Sequence, residues 1–248
     1  MMNTKPQLTL LKAQASYRGD PTTLFHQLCG ARPATLLLES AEINSKQNLQ
    51  SLLVIDSALR ITALGHTVSV QALTANGAAL LPLLDEALPP EVRNQARPNG
   101  RELTFPAIDA VQDEDARLRS LSVFDALRTL LTLVDSPADE REAVMLGGLF
   151  AYDLVAGFED LPALRQDQRC PDFCFYLAET LLVLDHQRGT ARLQASVFSE
   201  QASEAQRLQQ RLEQLQAELQ QTPQPIPHQT LENMQLSCNQ SDEEYGAV

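Results

Sequence analysis

The sequence contains no tryptophan, and aromatic residues make up only 5% of it. Indole emission from a sample would therefore report a bound molecule. Basic residues are also scarce: 19 lysines and arginines stand against 32 aspartates and glutamates, a formal charge of −13. Such a field repels phosphate backbones and anionic lipid, which argues against nucleic-acid and membrane-surface roles. A small anionic ligand needs only one local basic pocket and is not excluded. Long apolar runs are missing too. Leu36–Leu38 and Leu52–Ile55 fall far short of a membrane span. Residues 1–10 lack the apolar stretch and small-residue cleavage site of a signal peptide, and the expected compartment is the cytoplasm.

The inventory of catalytic signatures is equally thin. No Gly-x-Gly-x-x-Gly, P-loop, Gly-x-Ser-x-Gly or His-Glu-x-x-His pattern occurs. The four histidines, His26, His66, His186 and His228, share no local context. His26 reads as a helix-face residue, His66 and His228 as solvated, and His186 as packing or capping a strand end. Cys170 and Cys174 are spaced Cys-x-x-x-Cys with no second pair, and Cys29 and Cys238 stand alone. Zinc is a weak reading of this set, and buried reduced thiols a better one. Asp113–Asp115 opens a helix, where negative charge suits the macrodipole, and Glu159–Asp160 reads as a solvated turn. No residue of the chain is expected to be catalytic or to bind a metal.

What is present is a well-patterned core. The 248 residues are 44% hydrophobic, enough for one large domain or two small ones. Thr35–Glu39 and Leu52–Ile55 read as buried strands. Arg60–Leu64 and Val68–Ala72 flank a tight turn at Gly65-His66. Asn76–Leu88 has helical spacing, although Pro82 suits a first turn and so argues for a later start. The run to Gly100 is a loop. Asp113–Val134 reads as one amphipathic helix, Gly147–Val155 as a core strand, and Phe173–Asp185 with Ala191–Phe198 as a hairpin turning at Gln187–Gly189. Leu208, Leu212, Leu215 and Leu219 stripe a solvent-facing helix over Ser199–Gln221 that packs on a sheet. Thr222–His228 is a stiff proline-rich linker, followed by a short strand-like piece at Leu231–Leu236. The expected fold is α+β, with mostly antiparallel sheet(s), packed helices and hairpin links. The expected division is an α+β region over 1–221, the linker over 222–229, and the start of a further region over 230–248. Ser241 and Glu244 form a capping-box signature near the last residue, from which we expect the chain to be the N-terminal part of a longer polypeptide.

One local feature suggests a ligand. Glu39-Ser40 ends an otherwise apolar strand, and an amino-acid ligand needs an anion for its ammonium, donors for its carboxylate and an apolar box. On spacing alone, a strand end meeting water accounts for it equally.

Several segments together resemble one family. They are Ala34–Ser40, Ser57–Ala63, Gly147–Val155, Cys170–Cys174 and Asn239–Tyr245, and they resemble the N-terminal half of anthranilate synthase component I of the enterobacterial type, from about residue 8 onward. The resemblance implies a lyase that converts chorismate and ammonia to anthranilate and pyruvate, the first committed step of tryptophan biosynthesis. It implies a glutamine amidotransferase partner, and Mg2+ held by residues beyond Val248. It also implies allosteric feedback inhibition by L-tryptophan at Leu38, Glu39 and Ser40, with Pro21 as a further candidate. The fold would then be part of a larger two-sheet sandwich, with Gly147–Val155 helping to couple the halves, and the chain alone would be inactive. Two other readings stay open: a stand-alone tryptophan-sensing module, and the N-terminal part of a sister enzyme such as aminodeoxychorismate synthase.

Overall fold

A computed structural model describes residues 5–39, 49–107, 114–157 and 170–223, with positions 238, 241, 243 and 246. Nine strands form one antiparallel sheet: β1 (Thr9–Ala15), β2 (Leu36–Glu39), β3 (Gln50–Leu64), β4 (Thr67–Ala72), β5 (Arg93–Arg97), β6 (Gly100–Thr104), β7 (Leu146–Phe150), β8 (Phe173–Asp185) and β9 (Thr190–Val197). Their order is β1-β9-β8-β3-β4-β6-β5, with β2 added to β3 and β7 added to β8. The helices are α1 (Pro21–Cys29), α2 (Ala75–Ala78), α3 (Leu80–Ala87), α4 (Glu114–Arg119), α5 (Phe124–Leu131) and α6 (Ala202–Gln220). The α+β expectation holds. No described helix is long and apolar enough to cross a membrane.

The spine of the sheet is the β3–β8 pair. Leu52–Ile55 and Arg60–Leu64 are two ends of one strand, joined through a bulge between Val54 and Leu59. The bulge absorbs the polar Asp56 and Ser57, which break the apolar pattern in the sequence. It also divides the core along the strands. On one side Leu53 and Ile55 pack with Leu182, Leu184 and Leu193 beneath α1 and α6. On the other, Leu59, Ile61 and Ala63 pack with Val68, Val70 and Leu103 against α3 and α5. All four leucines of the α6 stripe are buried in the first cluster, as their spacing requires. The sheet curls strongly. β7 and β2 are separated by β8 and β3, yet a Cβ on Gly147 would stand 3.0 Å from Leu36 Cδ1.

Several boundaries differ from expectation, each for a local reason. α3 begins at Leu80, so Pro82 lies in its first turn, where no N–H is required of it. The stretch Asp113–Val134 is two helices, because Ser122 N–H donates to Asp125 Oδ2 at 2.7 Å and starts α5 afresh. The expected loop before Gly100 contains β5, whose residues are all exposed and carry no apolar period to reveal them. β7 stops at Phe150 and gives way to a 3-10 turn over Tyr152–Gly157. It is an edge strand, with Leu149 62% and Phe150 52% exposed. Glu159–Asp160 and Leu231–Leu236 lie outside the described residues.

One buried side chain ties four elements together. Asn76, fully buried in α2, donates from Nδ2 to Ser196 O at 2.9 Å and to Glu179 Oε1 at 3.1 Å. Its Oδ1 accepts from Phe198 N at 2.7 Å and Ser199 N at 3.0 Å. Glu179, itself buried on β8, also accepts from Thr74 Oγ1 at 2.7 Å and from Arg207 Nη2 of α6 at 2.9 Å. Removing the amide leaves buried donors and a carboxylate short of partners. Asn76→Ala should therefore cost about 3 kcal/mol or more of unfolding free energy, read by urea denaturation against the parent chain.

Candidate functional site

The candidate residues lie where β2 runs beside the first turns of β3. α1 is started by a well-formed cap: Asp20 accepts from Thr23 N at 3.0 Å and from Thr23 Oγ1 at 2.6 Å. These bonds hold the Asp20 carboxyl below its ordinary value. Pro21 occupies the first helical position and is buried, a placement that Asp-Pro at a helix start encodes directly. The helix ends at Gly30, whose φ of 56° suits glycine.

The connector from α1 to β2 is held by polar bonds. Arg32 Nη1 donates to Asp56 Oδ1 at 2.9 Å, and Nη2 to the carbonyls of Leu28 and Ile55. Ser57 Oγ donates to Ala34 O at 2.7 Å, pinning an alanine whose φ is 60°. Asp56 also accepts from Thr180 Oγ1 at 2.6 Å and Arg211 Nε at 2.9 Å. Burial pushes the Asp56 carboxyl upward. Hydrogen bonds from Arg211, Thr180 and Arg32, with the charge of Arg211, outweigh burial and hold it below its ordinary value. Beneath this group, burial raises the Cys29 thiol to about 11. Cys29 is therefore a packing residue rather than a nucleophile. Cys170 and Cys238 are exposed and Cys174 is half-buried, so only Cys29 matches the expected burial.

Leu38 and Glu39 leave opposite faces of the sheet. Glu39 pairs with Ser51 and Leu37 with Leu53, on the face covered by α1 and α6. Leu38 lies on the other face beside Gly147, where a Cβ would come within 3.6 Å of its Cδ1. The Glu39 side chain is exposed and makes no hydrogen bond or ion pair with another described residue. Ser40 lies outside the described residues. The structure thus sets Glu39 on the face that carries α1 and Pro21, and separates the Leu38 side chain from it. His186 packs at the end of β8 as its position suggests, bonded on the Glu39 face to Tyr17 and Ser51, two residues that nothing in the sequence singles out. Among the described residues, no group of three or more His, Cys, Asp or Glu side chains could hold a metal ion.

The family of chorismate binding enzymes matches residues 91–247, more than half of the chain. The chain belongs to that family. It is homologous to anthranilate synthase component 1 of Serratia marcescens, 96% identical over 247 residues, which is 100% of this chain and 48% of that protein. The same component of Escherichia coli strain K12 is 58% identical over 248 residues, again 100% of this chain and 48% of the relative. A crystal structure of anthranilate synthase component I from Streptococcus pneumoniae TIGR4 aligns with 76% of this chain and 32% of its own, at 16% identity and a TM-score of 0.38, too low to bear on the fold. The chain spans about half the length of the relatives it matches.

The lowered carboxyl of Asp56 fixes the sign of a pH effect. Its stabilisation is fully present above the ordinary carboxylate range, near pH 4, and is lost as pH falls through the lowered folded value. Asp56→Asn should cost about 1–3 kcal/mol at pH 7. As pH falls below the ordinary carboxylate value and through the lowered folded one, the gap to the parent chain should shrink, measured as unfolding free energy across the acid range.

Proposed function

We propose that this chain is the regulatory portion of an anthranilate synthase component 1, and that it carries the site at which L-tryptophan inhibits the enzyme. The whole polypeptide, with a glutamine amidotransferase partner, would convert chorismate and ammonia to anthranilate and pyruvate. The homology to component 1 proteins along all of this chain supports that assignment. Among the described residues no group of three or more His, Cys, Asp or Glu side chains could hold a metal ion. On this reading the chemistry and the Mg2+ would belong to the remainder of the full-length protein, of which this chain spans about half the length, with residues 230–248 as its beginning.

The observation that carries the regulatory reading is Glu39. A strand-end carboxylate with no partner among the described residues, on the face covered by α1, is available to an ammonium group. Tryptophan needs that anion, donors for its carboxylate and an apolar wall. Ser40 and the backbone at Leu38 would supply polar contacts, and Pro21 part of the wall. The Leu38 side chain would contact the neighbouring half from the opposite face, next to β7. Binding there would favour one arrangement of the halves, so that chorismate and tryptophan weaken each other reciprocally.

The test uses the full-length polypeptide with its amidotransferase. Glu39→Gln should weaken tryptophan binding roughly tenfold or more, the scale of a lost charge-assisted hydrogen bond, read by titration calorimetry. The 248-residue chain alone should give no anthranilate fluorescence from chorismate and ammonia. Unchanged tryptophan affinity would end the regulatory reading, and turnover by the fragment would end the assignment of catalysis to the remainder.

A further inference from the structure

Three residues far apart in sequence stand in a row where β2, β3 and β8 end together. The Tyr17 hydroxyl lies 2.9 Å from His186 Nδ1, and the Ser51 hydroxyl lies 2.8 Å from His186 Nε2. The Tyr17 and His186 rings meet edge to face at 5.9 Å. His186 N also donates to Leu49 O at 2.9 Å, one step beyond the β3–β8 ladder. Both ring nitrogens are engaged, so the imidazole has one orientation. Each hydroxyl can donate or accept, so either tautomer leaves the row intact.

The ends of the row are its significance. Ser51 is 2% exposed and sits directly opposite Glu39 on the same face of the sheet, where paired side chains are neighbours. At the other end the Tyr17 hydroxyl covers Gly19, and a Cβ there would lie 3.6 Å from it. Gly19 and Asp20 lead straight into Pro21. The row therefore spans from the neighbour of Glu39 to the turn that sets Pro21. Among the described residues β2 is a four-residue strand paired only with β3, and Gly19 and Asp20 are exposed where they lead into α1.

We propose that Tyr17, His186 and Ser51 are positioning residues for the amino-acid site, fixing the Glu39 strand end relative to the Gly19–Pro21 turn. The inference rests on the tryptophan reading above. A carboxylate on a short edge strand and a wall on a helix start must be held at one separation before a ligand can touch both. Fixing that separation in advance lowers the ordering cost of binding. The hydroxyls and the imidazole need not touch the ligand to do this.

The test is a double-mutant cycle in the full-length polypeptide, with tryptophan affinity read by calorimetry. Tyr17→Phe and Ser51→Ala should each weaken tryptophan roughly threefold to tenfold, the scale of one lost hydrogen bond. The double variant should bind no more weakly than the worse single one, because both act through His186. A merely structural loss would not produce that coupling in a ligand affinity. His186→Asn, which reaches Tyr17 but not Ser51, serves as a second variant should Ser51→Ala fail to fold. Unchanged affinity in these variants while Glu39→Gln weakens binding overturns the row but leaves the site. Independent, multiplying effects overturn it as well. Unchanged affinity in Glu39→Gln overturns the site itself, and the row with it.

Discussion

The bulge in β3 around Asp56 is the constraint on which the rest of the structure depends. A fifteen-residue strand paired along a thirteen-residue neighbour would form a long ribbon if its ladder were regular. The register instead shifts between Val54 and Leu59, and two separate sets of helices close over the two ends. The shift is stabilised by charge. Asp56 is gripped by Thr180 from the paired strand, Arg211 from α6 and Arg32 from the α1–β2 connector. One carboxylate thus ties together the sheet, the long helix that covers it, and the segment that delivers β2. Hydrogen bonds to ionised groups are worth more than neutral ones, and here they converge where the ladder's own bonds are interrupted.

The fold was legible in proportion to its apolar periodicity. The β8–β9 hairpin and α6 lie within a few residues of their expected bounds, because leucines and valines mark them on every turn. What escaped was polar or interrupted. β5 carries no buried residue, so nothing in its composition separates it from a loop. β1 alternates, with Leu11, Ala13 and Ala15 packed beneath α1 and α6, but its two alanines mute the signal. The division of α4 from α5 depends on Ser122 and Asp125 facing each other across three residues, a cap that an apolar stripe running through it conceals.

The site was legible only in part, for a different reason. Glu39 stands out because a charge ends an apolar strand, whereas Pro21 is a candidate through the family resemblance alone, and its place at the start of α1 comes from the structure. The separation of Leu38 from Glu39 follows from strand alternation alone. Tyr17, Ser51 and His186 are spread over 169 positions from Tyr17 to His186, and no local pattern connects them. Their grouping needs the register of two strand pairs at once, Glu39 with Ser51 and Gln50 with Asp185. Contacts of that kind are products of topology.

The distribution of carboxylates bears on the proposed regulatory role of this region. Asp56, Asp85 and Glu179 each accept from an arginine and at least one further side chain. Their charge is committed to holding elements together, and recruiting any of them as an acid or base would loosen the fold it serves. Glu39 is the counter-example among the candidate residues: charged, exposed, without a partner among the described residues, and carried on a strand paired along one edge only. An amino acid that supplies a cation there would gain an ion pair at the end of this strand. That strand touches β7 through Leu36, Leu38 and Gly147, and β7 exposes Leu149 and Phe150 to whatever lies beyond it. Leu149 and Phe150 leave opposite faces of β7, with Phe150 packed against Phe124, Phe173 and Phe175.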